Sequence, residues 1–475
     1  MEQYDWLKAP EIPLSERVSE LCLPNRAPGS AREADRALLA LAQEDFLDTT
    51  HFDTVRFAPP PWASEVIARA SQEGSLAYTP YRGHPDVLKS VAEGLQTSFG
   101  LSFNPDTELI LTPGTQAGLF GSLASLINQG DDVVLIDPDY LFSERILRFL
   151  GAQITHIPLV DAVSPHPDLK ALEEVFKRLQ PKLLVFSHPN NPTGAVYAPE
   201  LIAGIAELAI YYNVTVLVDE LYARLVYQGS RFTHLAAQAG MKERTITLFG
   251  PSKTESLSGY RLGVVAAPAK VIEAIEDIQS ITALRAPAYS QHVLVPWLHH
   301  DGLWLADRLK EFWKLRTITA QAFAKLPWLK LHLQKATAYA WPDVSALKLP
   351  DTTIAQALMQ EAKVLVSPGY QFGPGGAGHF RVCYARDEQE WEAALERIIT
   401  VLDHFAVQAG LAKRMDAKNP VYQQRLDEIQ GTSRADINSS IAQPLRTWPS
   451  SDSTVNNPSG CLQQTCQQLF MRLMK

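Results

Sequence analysis

Between about residues 76 and 285, short apolar runs alternate with longer segments in which apolar residues recur at helical spacing. The apolar runs, which are typical of buried strands, lie within TELILTPG, DVVLIDP, ITHIPL, LLVFSHP, TVLVDE and ITLFGPS. In the intervening segment DLKALEEVFKRL, one helical face carries Leu169, Leu172, Val175, Phe176 and Leu179. This alternation predicts an α/β fold, in which helices cover both faces of a mostly parallel sheet.

The pattern changes after about residue 285. Two helical segments, QHVLVPWLHH and LWLADRLKEFWKLRTITAQAFAKL, precede three predicted strands, WLKLHL, AYAWPDV and HFRVCYA, and a closing helix in EQEWEAALERIITVLDHFAVQA. We therefore expect a large domain over residues 76–285 and a smaller α+β domain over residues 286–410, with residues 1–75 packing on the smaller domain.

Residues 411–475 form a tail in which apolar periodicity is lost and Gln, Ser, Asn and Asp are frequent. This composition predicts disorder, because too little apolar surface can be buried to offset the entropy of ordering. The alternative is a short amphipathic helix in CLQQTCQQLFMRLMK, where Leu462, Cys466, Leu469 and Leu473 fall at helical spacing.

The composition narrows the classes of function. The 43 basic and 52 acidic residues give a formal charge of -9 without any Lys/Arg-rich run, so nucleic acid and anionic membranes are not expected partners. The cysteines are too widely spaced for a disulfide framework, and Cys461 and Cys466 lack the second pair of ligands that a zinc site would need. All four are interpreted as free thiols: Cys22, Cys383, Cys461 and Cys466. The sequence has neither a signal-peptide core nor an apolar run of membrane-spanning length, which predicts a cytoplasmic protein.

Polar residues concentrate in loops that follow predicted strands, where α/β sheets bind ligands. In TPGTQAG, Gly114 permits close backbone approach and the N–H groups of Thr115 and Gln116 begin a helix, an arrangement that suits a phosphate. A plain helix N-cap is the alternative interpretation. In SHPNNPTGAVY, two prolines hold Asn190 and Asn191 rigidly at a strand end.

Charged residues complete this set of loops. Asp219 ends the apolar strand TVLVD, where a carboxylate is costly unless it meets a cation. Lys253 follows the strand TITLF, and Arg261 lies shortly after it in FGPSKTESLSGYRLG. An amine, a carboxylate, an asparagine, an anion-binding helix start and an arginine together predict a pocket for pyridoxal 5'-phosphate.

Three of these segments, NNPTG, DELY and SKTESLSGYRLG, follow one another in the order and spacing of a known family. On their basis, the chain from about Leu76 to Ala385 resembles the class I/II aminotransferases of fold type I and is similar to aspartate aminotransferase. The resemblance implies a homodimeric pyridoxal-phosphate enzyme that transfers an amino group between an L-amino acid and a 2-oxo acid. Alternatives within the same fold are a lyase and an oxygen-dependent amino-acid oxidase or hydroxylase of natural-product metabolism.

The resemblance also implies roles for individual residues. Lys253 would form a Schiff base with the cofactor and later move a proton, and Asp219 would pair with the pyridine nitrogen. Asn191 and Tyr222 would donate hydrogen bonds to the phenolic oxygen, and Tyr140 would stack on the ring. The phosphate would be held by residues of two loops: Gly114, Thr115, Gln116, Ser252 and Arg261.

Two further roles concern the substrate and a neighbouring subunit. Arg381, in HFRVCYA, resembles the arginine that binds the substrate α-carboxylate by a two-pronged contact, with Asn191 beside it. Tyr78, in YTPYRG, is similar to the tyrosine that reaches the phosphate of the neighbouring subunit.

The chain departs from the family pattern at two places. Gly250 stands where a serine is common, and THFDTVRFAPPPW lacks the usual G-x-P loop. Arg285 lies near the place of a second arginine that binds dicarboxylates in some relatives, but its register does not match. These departures leave the identity of the substrate open.

Overall fold

A mixed β-sheet organises the larger part of the chain. The computed structural model describes residues 15, 17, 36–42, 45–52, 56–73, 78–161, 164–299 and 301–441 of the 475. The strands in these ranges are β1 (Leu47–Asp48), β2 (Leu109–Pro113), β3 (Asp132–Asp137), β4 (Gln153–Val160), β5 (His166–Pro167), β6 (Leu183–Ser187), β7 (Thr215–Asp219), β8 (Thr245–Phe249), β9 (Leu262–Ala266), β10 (Lys330–Leu331), β11 (Tyr339–Ala340), β12 (Pro342–Asp343), β13 (Val364–Leu365), β14 (Ser367–Pro368) and β15 (Phe380–Cys383).

The largest sheet has eight strands in the order β2-β9-β8-β7-β6-β3-β4-β5. Strands β4, β3, β6, β7 and β8 run parallel to their neighbours in that series. Strand β9 is antiparallel to both β8 and β2, so β2 and β8 point the same way. The carboxyl ends of β2, β3, β6, β7 and β8 therefore lie along one edge, and the predicted α/β fold with a mostly parallel sheet is confirmed.

Helices cover this sheet because successive residues of each strand point to opposite faces. In β3, Val134 and Ile136 belong to one buried cluster, whereas Val133 and Leu135 belong to another. The α-helices of the described part span Arg36–Leu39, Pro61–Glu73, Pro85–Phe99, Thr115–Leu126, Leu141–Phe149, Leu169–Leu179, Pro199–Tyr211, Ala269–Thr282, Ala288–Gln291, Gly302–Ala324, Asp351–Gln360, Glu388–Gln408 and Pro420–Ile441.

The helix Leu169–Leu179 shows how local sequence sets these boundaries. It begins where the Asp168 carboxylate accepts a hydrogen bond from the backbone N–H of Lys170 at 2.9 Å, which satisfies one of the free N–H groups of the first turn. It ends at Gln180, whose φ of 46° is left-handed. Its fully buried residues, Leu172 and Phe176, lie on the predicted apolar face.

The smaller domain combines short strands with long helices. Strands β11, β15 and β14 form an antiparallel sheet, and β10 pairs with β12. The helices Gly302–Ala324 and Glu388–Gln408 pack together, and the indole N–H of Trp391 donates to the hydroxyl of Thr319 at 2.8 Å between them. This pairing places a buried polar group within the apolar core without leaving it unsatisfied.

The N-terminal segment contacts both domains. Strand β1 pairs in parallel with β13, and Leu38 packs in the core of the smaller domain. The helix Pro61–Glu73 instead packs with the large domain through Ala63. Residues Val293 and Trp297 belong to the same large-domain cluster, so contacts of that domain extend past the predicted boundary at residue 285. In the segment QHVLVPWLHH, which is predicted as a helix, the described residues 291–299 contain only the end of the helix Ala288–Gln291 and a 3-10 helix at His292–Leu294. Pro296 lacks the N–H group that a continuing helix would need.

The structure differs from the predicted disordered tail at residues 415–431. The helix Pro420–Ile441 packs on the helix Gly302–Ala324, and Tyr422 is buried beside Ala324. Arg425 donates to the carbonyl oxygens of residues 324, 326 and 327 at 3.2, 2.9 and 2.8 Å, which satisfies free acceptors at that helix end. The segment CLQQTCQQLFMRLMK lies outside the described residues.

Two properties of the described residues bear on function. No helix among them is both long and apolar enough to cross a membrane. Within the same ranges, no group of three or more His, Cys, Asp or Glu side chains is arranged to hold a metal ion. Cys383 is a buried free thiol, and the other three cysteines lie outside the described ranges.

Candidate active site

A glycine and a guanidinium meet where β2 ends. Gly114 has φ 81° and precedes the helix Thr115–Leu126, and a Cβ at this position would overlap the guanidinium of Arg261. Arg261 itself has φ 55°, a left-handed conformation that costs an L residue about 1 to 2 kcal/mol. Its guanidinium donates to the carbonyl oxygen of Pro113 at 3.5 Å. Gly114 thus allows a cation to lie directly against the start of a helix.

Two hydroxyl groups border this cation. Thr115 Oγ1 donates to the carbonyl of Phe249, and Ser252 Oγ donates to the carbonyl of Leu262, each at 3.5 Å. Bonds of this length are weak, so both hydroxyls can turn toward a ligand. A Cβ at Gly263 would lie 2.5 Å from the backbone nitrogen of Thr115. Free helix N–H groups, two hydroxyls and a guanidinium form a cradle for a phosphate-like anion.

Lys253 and Asp219 lie at the ends of adjacent strands. Asp219 ends β7, and Lys253 follows β8, which pairs with β7. The Asp219 carboxylate accepts a hydrogen bond from the backbone N–H of Leu221 at 3.0 Å. Burial raises the pKa of Asp219 to about 6 and Glu220 adds to the increase, whereas the Leu221 N–H and the charge of Lys253 oppose it. A second cation against Asp219 would stabilise its ionised form.

Aromatic rings enclose the lysine side of the site. The Lys253 ammonium lies 5.9 Å from the ring centre of Phe52, and that ring lies 6.2 Å from Tyr222 and 5.4 Å from Tyr339. The hydroxyls of Tyr222 and Tyr339 are hydrogen-bonded at 3.1 Å. Burial, with the neighbouring Tyr339, raises the pKa of Tyr222 well above its usual value, so its hydroxyl remains a neutral donor.

Arg381 connects the smaller domain to the sheet edge of the larger one. It is 1% exposed and donates to the side-chain oxygen of Asn191 at 2.7 Å. It also donates to the carbonyl of Thr50 at 2.8 Å and the hydroxyl of Ser367 at 3.4 Å. A buried guanidinium held by these neutral oxygens can pair favourably with an incoming carboxylate.

Tyr140 and Gln116 face each other across the same edge. Tyr140 follows β3, and its hydroxyl donates to the side-chain oxygen of Gln116 at 3.1 Å. Its ring lies 5.5 Å from that of Phe142. This contact fixes the half-buried Tyr140 ring beside the helix start that forms the anion cradle.

Tyr78 lies apart from the other predicted residues. Its side chain is 80% exposed, and the guanidinium carbon of Arg285 lies 4.5 Å from its ring and 4.9 Å from that of Tyr81. Arg285 also donates to the carbonyl of Thr79 at 2.9 Å. Within one copy of the chain, Tyr78 and Arg285 therefore form part of the surface rather than of the pocket around Lys253.

The structure adds residues that the sequence did not single out. Phe52, Tyr339 and Phe372 surround Lys253 and Arg381, and Asp139 is buried behind Tyr140. Asp139 carries a usable signal, a second acidic residue in DPDY directly after a strand. The three aromatic residues carry none, because their positions depend on how the smaller domain packs on the larger one.

The residues present fit pyridoxal phosphate. The cradle at Gly114 and Arg261 matches its phosphate, the amine of Lys253 matches its aldehyde, and the carboxyl of Asp219 matches its basic ring nitrogen. The elevated pKa of Asp219 is consistent with a site that gains a cationic partner when the cofactor binds.

Known proteins share this architecture. Residues 40–398 match a family model described as aminotransferase class I and II. The chain is 29% identical to the aspartate aminotransferase of Pyrococcus horikoshii, over 73% of this chain and 88% of that protein. It is also 29% identical to aromatic-amino-acid aminotransferase 2 of Thermococcus litoralis, over 73% of this chain and 89% of that protein.

A solved structure extends the similarity to three dimensions. The crystal structure of an aspartate aminotransferase from Rhodobacter sphaeroides matches with a TM-score of 0.73 and 34% identity, over 76% of this chain and 93% of that chain. The matched family region includes the anion cradle, the strand-end lysine and the buried arginine of the smaller domain. Sequence, fold and chemistry agree, and the chain belongs to the class I and II aminotransferases, which use pyridoxal 5'-phosphate.

Proposed function

We propose that the pocket between Lys253 and Arg381 transfers amino groups between an L-amino acid and a 2-oxo acid, and that Lys253 binds the cofactor covalently. The hydrogen bond from Arg381 to Asn191, 2.7 Å long, carries this assignment. It joins β15 of the smaller domain to the loop after β6, so that a carboxylate-binding group and the lysine-bearing sheet edge belong to one site.

The remaining residues would hold the cofactor in one orientation. The cradle of Gly114, Thr115, Ser252 and Arg261 would bind its phosphate, and Tyr140 would stack on its ring. At the opposite ring edge, Asp219 would pair with the nitrogen, while Asn191 and Tyr222 would contact the phenolic oxygen. Gln116 would act through its contact with Tyr140 and through its backbone N–H at the helix start.

When bound, the cofactor supplies an electron sink that stabilises negative charge at the substrate's α-carbon. Asp219 would keep the ring nitrogen protonated, because its carboxylate is partly shielded from water and opposite charges attract strongly there. Lys253 would take the proton from the substrate's α-carbon and deliver it to the carbon that the cofactor's aldehyde provides. Arg381 would fix the substrate carboxylate and so orient that carbon.

Aromatic rings around Arg381 support a proposal for the class of side chain that the substrate carries. The guanidinium carbon lies 4.2 Å from the Tyr339 ring and 4.7 Å from the Phe372 ring. Phe372 lies 5.2 Å from Trp341, and both pack with Leu141 in a buried cluster. A substrate held at Arg381 would contact these rings, so we propose an amino acid with an aromatic or large apolar side chain.

Initial rates with a common 2-oxo acid acceptor test this function. The kcat/KM for phenylalanine, tyrosine, tryptophan and leucine should exceed that for aspartate, and Phe372→Leu should lower the phenylalanine value by about two- to tenfold more than the aspartate value. A preference for aspartate would refute the substrate class. Absence of amino transfer to any acceptor by the unaltered protein would refute the reaction itself.

We further propose that the protein acts as a homodimer. Tyr78 and Ile281 are both 80% exposed, and Tyr81, Leu284 and Tyr289 add exposed apolar surface in the same two segments. The contacts of Arg285 with Tyr78 and Tyr81 bring the two segments together. Exposed apolar side chains concentrated in two neighbouring segments are typical of an interface.

Sedimentation tests the dimer directly. Ile281→Lys should shift the protein toward monomer, whereas Leu303→Lys, at a position that is 88% exposed on the helix Gly302–Ala324, should not. Mixing inactive Tyr78→Ala and Lys253→Ala proteins should restore some activity if Tyr78 serves the neighbouring site. A fully active monomer would contradict the proposal.

A further inference from the structure

Asp139 is a buried carboxyl group on which three hydrogen-bond donors converge. It is 6% exposed and lies just beyond the end of β3. One oxygen accepts from the backbone N–H of Ser187 at 2.8 Å and from the side-chain amide of Asn190 at 3.2 Å. The other accepts from the backbone N–H of Tyr140 at 2.6 Å. Asp139 thus joins the loop after β3 to the loop after β6.

Asn190 transmits this contact to the cofactor side of its loop. Its side-chain oxygen accepts from the backbone N–H of Thr193 at 3.2 Å and from the Thr193 hydroxyl at 2.6 Å, which closes the turn in NNPTG. The next residue, Asn191, accepts from Arg381. The orientation of Asn190 therefore helps determine where Asn191 and Arg381 lie.

The backbone of Asp139 reaches the smaller domain. Its N–H donates to the carbonyl oxygen of Phe372 at 3.1 Å. The ring of Phe372 lies 4.7 Å from the Arg381 guanidinium carbon. Asp139 consequently contacts three parts of the pocket: Tyr140, the loop after β6 that carries Asn190, and Phe372, which packs on Arg381.

A carboxyl group is chemically specific at this position. An asparagine side chain has the same shape, but its NH2 group would face at least one of the three N–H donors. Two hydrogen-bond donors would then point at each other in a buried position, and neither would have an acceptor. Burial raises the pKa of Asp139 to about 7 and the nearby charge of Asp219 adds to this, while the N–H groups of Ser187 and Tyr140 favour the ionised form.

We propose that Asp139 is a positioning residue for this aminotransferase, which orients Asn191 and Tyr140 toward the cofactor and Arg381 toward the substrate. This inference rests on the proposed function of the pocket. The competing interpretation is that Asp139 only stabilises the fold, in which case its loss lowers the melting temperature but leaves the affinities of folded protein for cofactor and amino acid unchanged.

A double-mutant cycle separates these interpretations. Asp139→Asn, Asn190→Ala and the double variant are compared with the unaltered protein by titrating cofactor-free protein with pyridoxal phosphate and by measuring KM and kcat of the loaded enzyme. Asp139→Asn should raise the cofactor Kd and the amino-acid KM by about tenfold each. The effect of the double variant should be smaller than the sum of the two single effects, because both changes break the same link between Asp139 and Asn190.

Asp137→Asn is the matched control. Asp137 is a buried carboxyl on the same segment, 3% exposed, but it accepts a hydrogen bond from the backbone N–H of Gly375 at 2.7 Å. Its replacement should keep the cofactor Kd within about twofold of the unaltered value. An equal effect of both replacements would overturn the specific role of Asp139, as would strictly additive effects in the cycle.

Folding and function remain separable in this design. Circular dichroism identifies the folded variants, and if Asp139→Asn does not fold, Asn190→Ala still breaks the link from the other side and should raise the cofactor Kd. An unchanged Kd and KM in a folded variant would overturn the role of Asp139. Failure of the unaltered protein to bind cofactor or transfer amino groups would instead refute the proposed function.

Discussion

Replacing Asp219 with asparagine in the cofactor-free protein should remove a pH-dependent loss of stability. The ordinary pKa of this carboxyl is 3.8, and burial raises it to about 6 in the folded protein. Because the folded state holds the proton more tightly, unfolding becomes easier as pH rises from about 4 to 6, and the loss is constant above that range. This pKa shift corresponds to a loss of about 3 kcal/mol in the free energy of unfolding. The loss is about 2 kcal/mol if water in the open site screens part of the effect.

The Asp219→Asn protein lacks this titration but keeps the acceptor for the Leu221 N–H. Urea unfolding of both cofactor-free proteins at pH 4, 5, 6 and 7 measures the difference in the free energy of unfolding. Glu255, another buried carboxyl with a raised pKa, titrates equally in both proteins and cancels in the difference. Asp139 does not cancel completely, because the variant removes the contribution that the charge of Asp219 makes to its raised pKa, which is smaller than that of burial. The variant should gain about 2 to 3 kcal/mol relative to the unaltered protein between pH 4 and 7.

Pyridoxal phosphate provides the second arm of this experiment. A protonated ring nitrogen against Asp219 should lower the carboxyl pKa again, so the pH-dependent loss should shrink in the loaded unaltered protein. The loaded variant should still lose most of its turnover, because a neutral amide does not keep the ring nitrogen protonated. Parallel stability curves for the two cofactor-free proteins from pH 4 to 7 would refute the reasoning about burial.

Three further changes have defined outcomes. Lys253→Ala should abolish turnover while leaving weak cofactor binding, and borohydride reduction followed by peptide mapping of the unaltered protein should place the cofactor on Lys253; attachment elsewhere would refute the assignment. Arg381→Lys keeps the charge but loses the two-pronged geometry, so the amino-acid KM should rise by about 10- to 100-fold in steady-state kinetics, and an unchanged KM would exclude Arg381 as the carboxylate site. Removal of the residues after 415 deletes the contacts of Tyr422 and Arg425 and should destabilise the protein by about 2 to 4 kcal/mol without changing its cofactor content. Thermal melts measure this loss, and an unchanged melting temperature would show that the helix Pro420–Ile441 does not stabilise the fold.

The sequence by itself determined the class of fold, and it predicted the principal groups of the candidate pocket. Apolar runs of strand length that end at or shortly before Gly114, Asn191, Asp219 or Lys253 predict both the sheet and its polar edge. This works because parallel strands joined by helices place all their carboxyl ends on one side, so residues far apart in sequence converge without any knowledge of tertiary contacts.

The tail shows where composition misleads. Between residues 415 and 431 the sequence is polar, yet Tyr422 is buried and Arg425 binds free carbonyl oxygens at the end of another helix. These carbonyl oxygens lie close enough together for one guanidinium to bind them only once the helix Gly302–Ala324 has formed. A segment stabilised by such contacts carries too weak an apolar pattern for the sequence to reveal it.

Only the tertiary structure determines how residues of the two domains come together at the candidate site. The bond between Arg381 and Asn191 joins residues 190 positions apart, and Phe52 reaches Lys253 from the N-terminal segment. Asp139 is one of many acidic residues in the sequence, and only folding brings the donors of Ser187 and Asn190 to its carboxyl. Local periodicity specifies which face of an element is buried, but the distance between two side chains on different elements depends on packing across the whole core, where each contact is set by many others.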